Sequence, residues 1–419
     1  MQACPQTCNA SAVQAIPQTC NAAAAAPRAK LRTLPPPAMV AYSFAAAVLV
    51  SASSAAATPL YRLYQQSMHL TPLMVTVVFA VYAFSLLAAL LTVGSLSDYV
   101  GRRPVIFGGL LLNVAAMLLF AGATDVTHLI LARAVQGLCV GTATTALGAA
   151  ILDTDRNTGP LLNSITAFIG LMVGALGATA LISFAPNPLH LVYEVLFVLT
   201  VVLIGLLWLM PESAGRKPGA LASLLPQISV PRQSRAVLLR ITPAGIATWA
   251  LGGFYLSLMP TVVATTMGAT SPWVGGGVVA MLMLTAAIAV ALFRYVPAER
   301  LMVLGTATLA LGVAVSLFGI HQHNVGALFG GTIVAGLGFG ASFSGSLRLL
   351  LPTAELHQRA GLLAAFYVQS YLAFSVPAIA AGVGVPLLGL ANVAYVYGGI
   401  VIALAAISVI ASLRAARAA

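Results

Sequence analysis

The chain is short of charge. Only 6% of its 419 residues are Asp, Glu, Lys or Arg, where a soluble globular chain averages roughly 25%. With 60% hydrophobic residues, a compact water-soluble domain would lack the polar surface to stay dissolved. Soluble enzymes are therefore excluded, and so are disordered chains, whose hydrophobicity is low. Cysteine is scarce too. Cys4, Cys8, Cys20 and Cys139 stand in no C-x-x-C or Cys/His spacing. That excludes a disulfide scaffold and a zinc or redox motif, so neither a metal nor a cofactor is expected. Regular alternation of apolar and polar residues is missing, which excludes an outer-membrane barrel. What remains is an all-α, polytopic membrane protein.

Long apolar runs are what the chain does have. From Met39 on they recur at about 18–25 residues, each long enough to cross the bilayer core. Twelve are read, at 39–58, 73–93, 105–122, 128–151, 160–184, 191–210, 241–262, 273–293, 300–319, 324–347, 359–381 and 392–413. Residues 1–38 differ. They are rich in Ala, Pro, Gln and Thr, and PQTCNA occurs twice, at Pro5–Ala10 and Pro17–Ala22. Such sequence buries too little apolar surface to fold, and no apolar core precedes a cleavage site as in a signal peptide. A disordered cytosolic tail is expected there.

The net charge of +11 could signal an acidic partner. The basic residues are not grouped with aromatics, which argues against nucleic acid. Placing the N-terminus inside and alternating twelve spans puts all but two of the 19 basic residues in inner segments. The exceptions are Arg62, in an outer loop, and Arg133, inside the fourth span. This asymmetry is the positive-inside signal. It predicts a cytoplasmic (inner) membrane protein with both termini cytosolic.

The longest loop, 211–240, divides the spans into two sets of six: a bundle at 39–210 and a second at 241–413, followed by a short tail at 414–419. Val135–Thr142 (VQGLCVGT) resembles Val334–Ala341 (VAGLGFGA), 199 residues on. Each is followed by an inner loop with an acid, a base and a glycine: Asp153, Arg156, Gly159, and Glu355, Arg359, Gly361. Two repeated halves with a cytosolic linker is a transporter plan.

The sharpest motif, GSLSDYVGRRP at Gly94–Pro104, joins spans two and three. Gly94 lets helices approach closely, and Gly101 permits a tight turn. Pro104 suits the first turn of the next helix. Asp98 is an acceptor that can face a helix N-terminus or a basic partner. Arg102 and Arg103 can pair with carboxylates or anionic headgroups. The segment resembles the G-x-L-[SA]-D-x-x-G-R-R-P signature of the major facilitator superfamily. The resemblance extends over residues 39–413 in helix number, repeat and central loop. It implies two pseudo-symmetric six-helix bundles rocking around a central cavity. It also implies that Asp98 latches onto the start of span eleven, near Arg359–Gly361, when the cavity faces outward. Asp153 and Arg156 look like the acidic and basic loop residues that brace Arg102 or Arg103.

Arg133-Ala-Val-Gln136-Gly137 resembles the R-x-x-Q-G motif of exporters in that superfamily, which is linked to proton transfer. A buried arginine is costly, so it should face a cavity or a partner. Alternatively it snorkels to the outer headgroups. Arg133 and Gln136 share a helix face, and Gly137 would leave room beside them. Glu194, at a similar depth in span six, is either an outer-interface residue or else a protonatable carboxylate or a partner of Arg133. Two departures weaken the exporter likeness. Gly170–Ala178 (GLMVGALGA) lacks the proline of G-x-x-x-G-P-x-x-G-G, and span one holds no carboxylate.

From the resemblance, spans one, four, seven and ten line the cavity. Candidate lining residues are Gln136, Trp249, Tyr255, Phe339, Tyr367 and Gln369, and their aromatic, uncharged character suits an amphipathic or neutral molecule. The expected activity is secondary transport of a small organic molecule, by proton-coupled efflux, from a monomer. A facilitative or uptake carrier for a sugar, amino acid or organic acid is the rival within the class. A non-transporting receptor or scaffold is the rival outside it. No nucleotide-binding loop or catalytic constellation is present, so neither an ATP-driven pump nor an enzyme is expected.

Overall fold

The computed structural model describes residues 35–418. The expected tail lies almost wholly outside them, with Cys4, Cys8, Cys20, Arg28, Lys30 and Arg32. Among the described residues every regular element is a helix. Inside a bilayer an unpaired backbone N–H or C=O costs several kcal/mol, and a helix closes those bonds within itself.

Twelve helices are long and apolar enough to span a membrane. The first six are α1 (Pro36–Met68), α2 (Pro72–Thr92), α4 (Arg102–Ala121), α5 (Val126–Thr154), α6 (Gly159–Phe184) and α7 (Pro188–Leu207). A single turn, α3 (Ser97–Val100), lies between α2 and α4. The second six are α8 (Arg232–Ser257), α10 (Pro272–Leu292), α11 (Ala298–His321), α12 (Val325–Leu350), α13 (Arg359–Leu388) and α14 (Leu390–Ala418). The short α9 (Met259–Thr266) continues α8 after a break at Leu258.

The two largest departures from the expected bounds are the end of α1 and the start of α8. The first helix runs on to Met68 and takes Arg62 out of a loop, because a helix continues past the bilayer wherever its backbone bonds are met. The seventh span starts at Arg232, so Arg232, Arg235 and Arg240 are helical. Pro59 lies inside α1, whereas Pro260, 201 residues on, begins a new helix.

The packing repeats. In the first half α1 packs on α6, α2 on α5, α4 on α5, and α4 on α7. Shifted by six spans, these become α8 on α13, α10 on α12, α11 on α12, and α11 on α14, and all four pairs are present. The two most extensive contacts between the halves are α2 with α13 and α6 with α10, and the same shift exchanges them. This is the pseudo-symmetric pair of six-helix bundles.

Lipid tails give helices little hydrophobic reason to associate, so close backbone approach carries the packing. The repeated octapeptide is one such place. A Cβ on Gly137 or Gly141 would strike the Tyr82 or Leu86 carbonyl of α2. Their counterparts Gly336 and Gly340 meet the Leu282 and Ala286 carbonyls of α10. Gly170 and Gly174 seat α6 on Ser51 and Ala52 of α1 in the same way. The tightest pair is α11 with α12. Gly305, Gly312 and Gly319 recur every seventh residue, as do Gly331, Gly338 and Gly345, and each faces backbone of the other helix. In the first half a buried polar pin adds to this. The Asn113 amide on α4 donates to Ser53 on α1 (3.2 Å) and Thr200 on α7 (2.8 Å).

The arginine-bearing ends of the helices form one face, called here the basic face. On the opposite face the halves touch. Thr58 donates to the Leu256 carbonyl (3.0 Å), Arg62 to the Thr270 carbonyl (3.2 Å) and Thr261 to the Gln65 side chain (3.2 Å). A crevice of about 180 Å³ remains beside Arg62, lined by Pro59, Gln66 and Pro272.

Gly338→Leu should overpack the α11–α12 seam, at a cost of about 1–3 kcal/mol or more. Gly330→Ala, on the same helix but in open space, should be neutral. Thermal unfolding of both proteins in detergent checks this, and equal midpoints would refute the glycine seam.

Candidate functional site

On the basic face, Gly101 takes a φ of +101°, which glycine adopts without strain. It ends α3 and sets Arg102 as the first residue of α4. The Arg102 side chain then donates to Asp98 (2.5 Å), Ser97 (2.7 Å) and Asp153 (3.0 Å). The Asp98 and Asp153 side chains keep 53% and 35% of their exposure. Pairs this wet are worth no more than about 1 kcal/mol each, so the cluster does not hold the fold.

Glu212 was not expected here. Its carboxylate accepts from the backbone N–H of Arg102 (2.7 Å) and Arg103 (3.1 Å), where a helix N-terminus attracts negative charge. It also fills the space that a Cβ on Gly101 would need. The sequence carried one available signal, an acid just after span six in a chain with only eight, but no spacing ties it to Gly101.

Arg103 turns away from the carboxylates. It donates to the Trp208 carbonyl (3.3 Å) and lies over that indole ring. Arg156 is exposed and makes no ion pair among the described residues, so it is not part of the brace. The Asp155–Thr158 turn carries it outward. In that turn, hydrogen bonds from Thr158 and Asn157 hold the Asp155 carboxyl below the usual range. Gly94 also differs from expectation: a Cβ there would strike the Leu90 carbonyl of its own preceding turn, not a neighbouring helix.

The start of α13 is occupied by the linker and not by Asp98. The Ser229 N–H donates to the Gly361 carbonyl (3.3 Å), and its hydroxyl fills the space beside Gly361. The linker also reaches the motif loop, through Lys217 N–H to the Tyr99 carbonyl (2.8 Å) and Ser95 to the Ser223 carbonyl (3.2 Å).

Arg133 is 1% exposed. It donates to the Ser54 carbonyl (2.9 Å), Gln136 Oε1 (2.6 Å) and the Tyr61 hydroxyl (2.5 Å). Gln136 in turn donates to the Ser53 carbonyl (2.9 Å). The guanidinium lies over the rings of Tyr61, Tyr82 and Phe120, 5.3–5.6 Å from their centroids. It therefore neither snorkels nor stands free in a cavity: it is enclosed by α1, α2, α4 and α5. Carbonyls and ring faces suit a flat, weakly hydrated guanidinium. Its Nε has no partner.

Glu194 is exposed and pairs with nothing among the described residues. Its neighbour Tyr193 is the one that points inward, stacking on Phe120 (4.7 Å) and sharing a hydrogen bond with Tyr64. Val192 and Tyr193 are buried, and the next step of about 100° round the helix puts Glu194 outside. The Arg133–Glu194 pair is not formed. Gly137 packs against α2 and leaves no room beside Arg133.

Between the halves lies a run of rings. Trp249 on α8 touches Phe343, Tyr371 and Phe374, with centroids 5.2–6.0 Å apart. Tyr367 stands beside Tyr371. The first half contributes Phe79, 4.8 Å from Phe374, and Phe168, 5.9 Å from both Phe339 and Phe343. Gln369 accepts from Thr242 (3.0 Å). Phe168 is nine residues from the basic end of α6 and Tyr371 twelve from that of α13. At 1.5 Å per residue that is about 14 and 18 Å, near the midplane of a core about 30 Å thick.

Of the candidate lining residues, Trp249, Phe339 and Tyr367 lie in this seam, Gln369 sits between Tyr367 and Tyr371 on α13, and Gln136 lies away from it, bonded to Arg133 and Ser53. Tyr255 does not lie in it either: it is buried inside the second half, bonded to Thr332 (3.0 Å) and Ser316 (3.4 Å). Tyr371 and Phe374 were missed, although Tyr367, Tyr371 and Phe374 follow an i, i+4, i+7 helical stripe.

Comparisons with known proteins agree with this architecture. The chain is 26% identical over 292 residues to a multidrug resistance protein, MdtL, of Klebsiella pneumoniae (strain 342), covering 65% of this chain and 71% of that one. The MdtL of Escherichia coli O9:H4 (strain HS) has the same identity and coverage. The fold matches the crystal structure of the nucleoside transporter NupG with a TM-score of 0.68 at 13% identity, over 89% of this chain and 99% of that one. The family model of the Major Facilitator Superfamily matches residues 43–298. The chain belongs to the Major Facilitator Superfamily, and it is a multi-pass membrane transporter, a carrier and not an enzyme.

Proposed function

We propose that the chain exports a small amphipathic organic molecule across the cytoplasmic membrane by alternating access, with the basic face in the cytosol. The observation that carries this is the aromatic seam at mid-depth, between halves that touch on the face opposite the arginines. A substrate would enter the seam from the cytosolic side. The likeness to the multidrug resistance proteins supports export.

In this reading Asp98, Arg102, Asp153 and Glu212 form the conformational latch, and Gly101 gives it its turn. Here Asp98 is engaged with Arg102, and Ser229 holds the start of α13. Outward opening would bring Asp98 to that helix end, where the dipole favours a carboxylate. The six-helix halves at 39–210 and 241–413 would be the rocking bodies, and one chain would suffice.

Proton exchange is the coupling that the Arg133–Gln136–Gly137 motif suggests. One observation favours a second reading, a carrier driven by the substrate's own gradient. All eight acidic residues lie among the described residues, and none is buried. A proton carried through the interior would need a buried acid, and the carboxylates on the spans, Glu194 among them, are exposed.

Proteoliposomes with an imposed pH gradient and a panel of anionic, neutral and cationic aromatic compounds test both readings. Gradient-driven accumulation indicates proton exchange, accumulation without a gradient effect indicates the second reading, and no transport of any compound rejects export. Asp98→Asn should lower transport at least about tenfold, a bias of about 1.4 kcal/mol between states, with expression intact. Normal transport by that variant refutes the latch. Glu212→Ala should loosen the motif loop by about 1–2 kcal/mol, the scale of a lost helix cap. Faster hydrogen exchange at residues 97–104 is the expected readout, and unchanged exchange would show that the cap is dispensable.

A further inference from the structure

The seam has a definite electrostatic setting. Of the two buried arginines among the described residues, Arg102 on the basic face is paired with carboxylates. The other, Arg133, has none: its partners are a carbonyl, an amide oxygen, a hydroxyl and three rings. No acidic residue is buried anywhere in the chain, and Glu194, the acid nearest in depth, faces outward. A full positive charge therefore sits uncompensated in a low-dielectric interior, where its field is screened little.

That charge reaches the seam through one ring. Arg133 lies 5.4 Å from the Tyr82 centroid, and Tyr82 stands three residues along α2 from Phe79, which touches Phe374, the neighbour of Tyr371 on α13. Tyr371 is the ring that flanks Trp249. The rings themselves could attract a cation, but the Tyr82 face already carries Arg133, and a ring quadrupole fades faster with distance than a full charge does.

We propose that the aromatic seam binds a planar aromatic anion, with Arg133 supplying the positive potential from behind Tyr82, and that it disfavours aromatic cations. The rings give the planar body its stacking surface, and the anion offsets a charge that nothing else in the interior offsets. The proposal names the substrate class of the site described above and rests on that carrier reading. Its binding test is independent of transport.

The test is calorimetric titration of the full chain in detergent with two permanently charged probes of the same shape, 2-naphthalenesulfonate and (2-naphthyl)trimethylammonium. The sulfonate should bind at least about tenfold tighter, which is about 1.4 kcal/mol. Trp249→Ala should weaken the sulfonate by at least about tenfold. Arg133→Lys should keep the preference, and Arg133→Gln should bring the two affinities together. Tighter or equal binding of the ammonium overturns the proposal, as does sulfonate binding indifferent to Trp249→Ala. If Arg133→Gln fails to fold, the Lys variant and the ratio in the unaltered chain decide. Export of the aromatic panel with no binding of either probe overturns the anion site and leaves the export reading standing. Sulfonate binding with no export of any compound does the reverse.

Discussion

Backbone must meet backbone here, and the rest of the structure depends on that. The bilayer gives an apolar helix little gain from leaving lipid for another helix. What it gains comes from close contact, and close contact needs the Cβ removed at the crossing point. The glycines of α5 on α2 and of α12 on α10 do this at equivalent places in the two halves. The heptad glycines of α11 and α12 carry the same device along a whole helix pair. Once those crossings are fixed, α2 and α6 are left with free faces, and these meet α13 and α10 to join the halves. The seam is what those two contacts enclose.

This explains why so much of the fold was legible. Apolar length marks a span because hydrocarbon thickness sets it, and the arginine asymmetry fixed the alternation of twelve. The octapeptide repeat was visible because both copies solve one packing problem with the same two glycines. The heptad glycines were equally visible in principle, but a period of seven shows its meaning only when the partner helix is known. The ends of α1 and α8 were not legible. Hydropathy reports where lipid stops, while the helix stops where backbone bonding does, so Arg62 and Arg232 fell on the wrong side of a boundary.

The sites divide along the same line. Asp98, Gly101, Arg102 and Asp153 were readable because a local motif places three of them and one loop supplies the fourth. Glu212 was not, since its role depends on the linker folding back more than a hundred residues later. Arg133 was picked out by cost alone: an arginine inside a span needs a reason. The reason could not be read, because a carbonyl, a hydroxyl and three ring faces leave no charge signature. Glu194 was the natural partner by depth, and one step of helix phase sends it outward and Tyr193 inward. Tyr255 fails in the same way, since a span's number says nothing of which of its faces meets the other half.

Charge in this chain therefore does two separate things. At the basic face arginines are many and partly paired, and pairs that wet would serve only to choose between arrangements that differ by a few kcal/mol at most. Arg133, by contrast, is enclosed in the first half with no carboxylate beside it, and its field is screened little. A chain that buries no carboxylate and encloses Arg133 without one has set the sign around that arginine. A cation bound near Arg133 would add to its charge, and an anion would offset it. The seam of rings would supply contact while Arg133 supplies the sign.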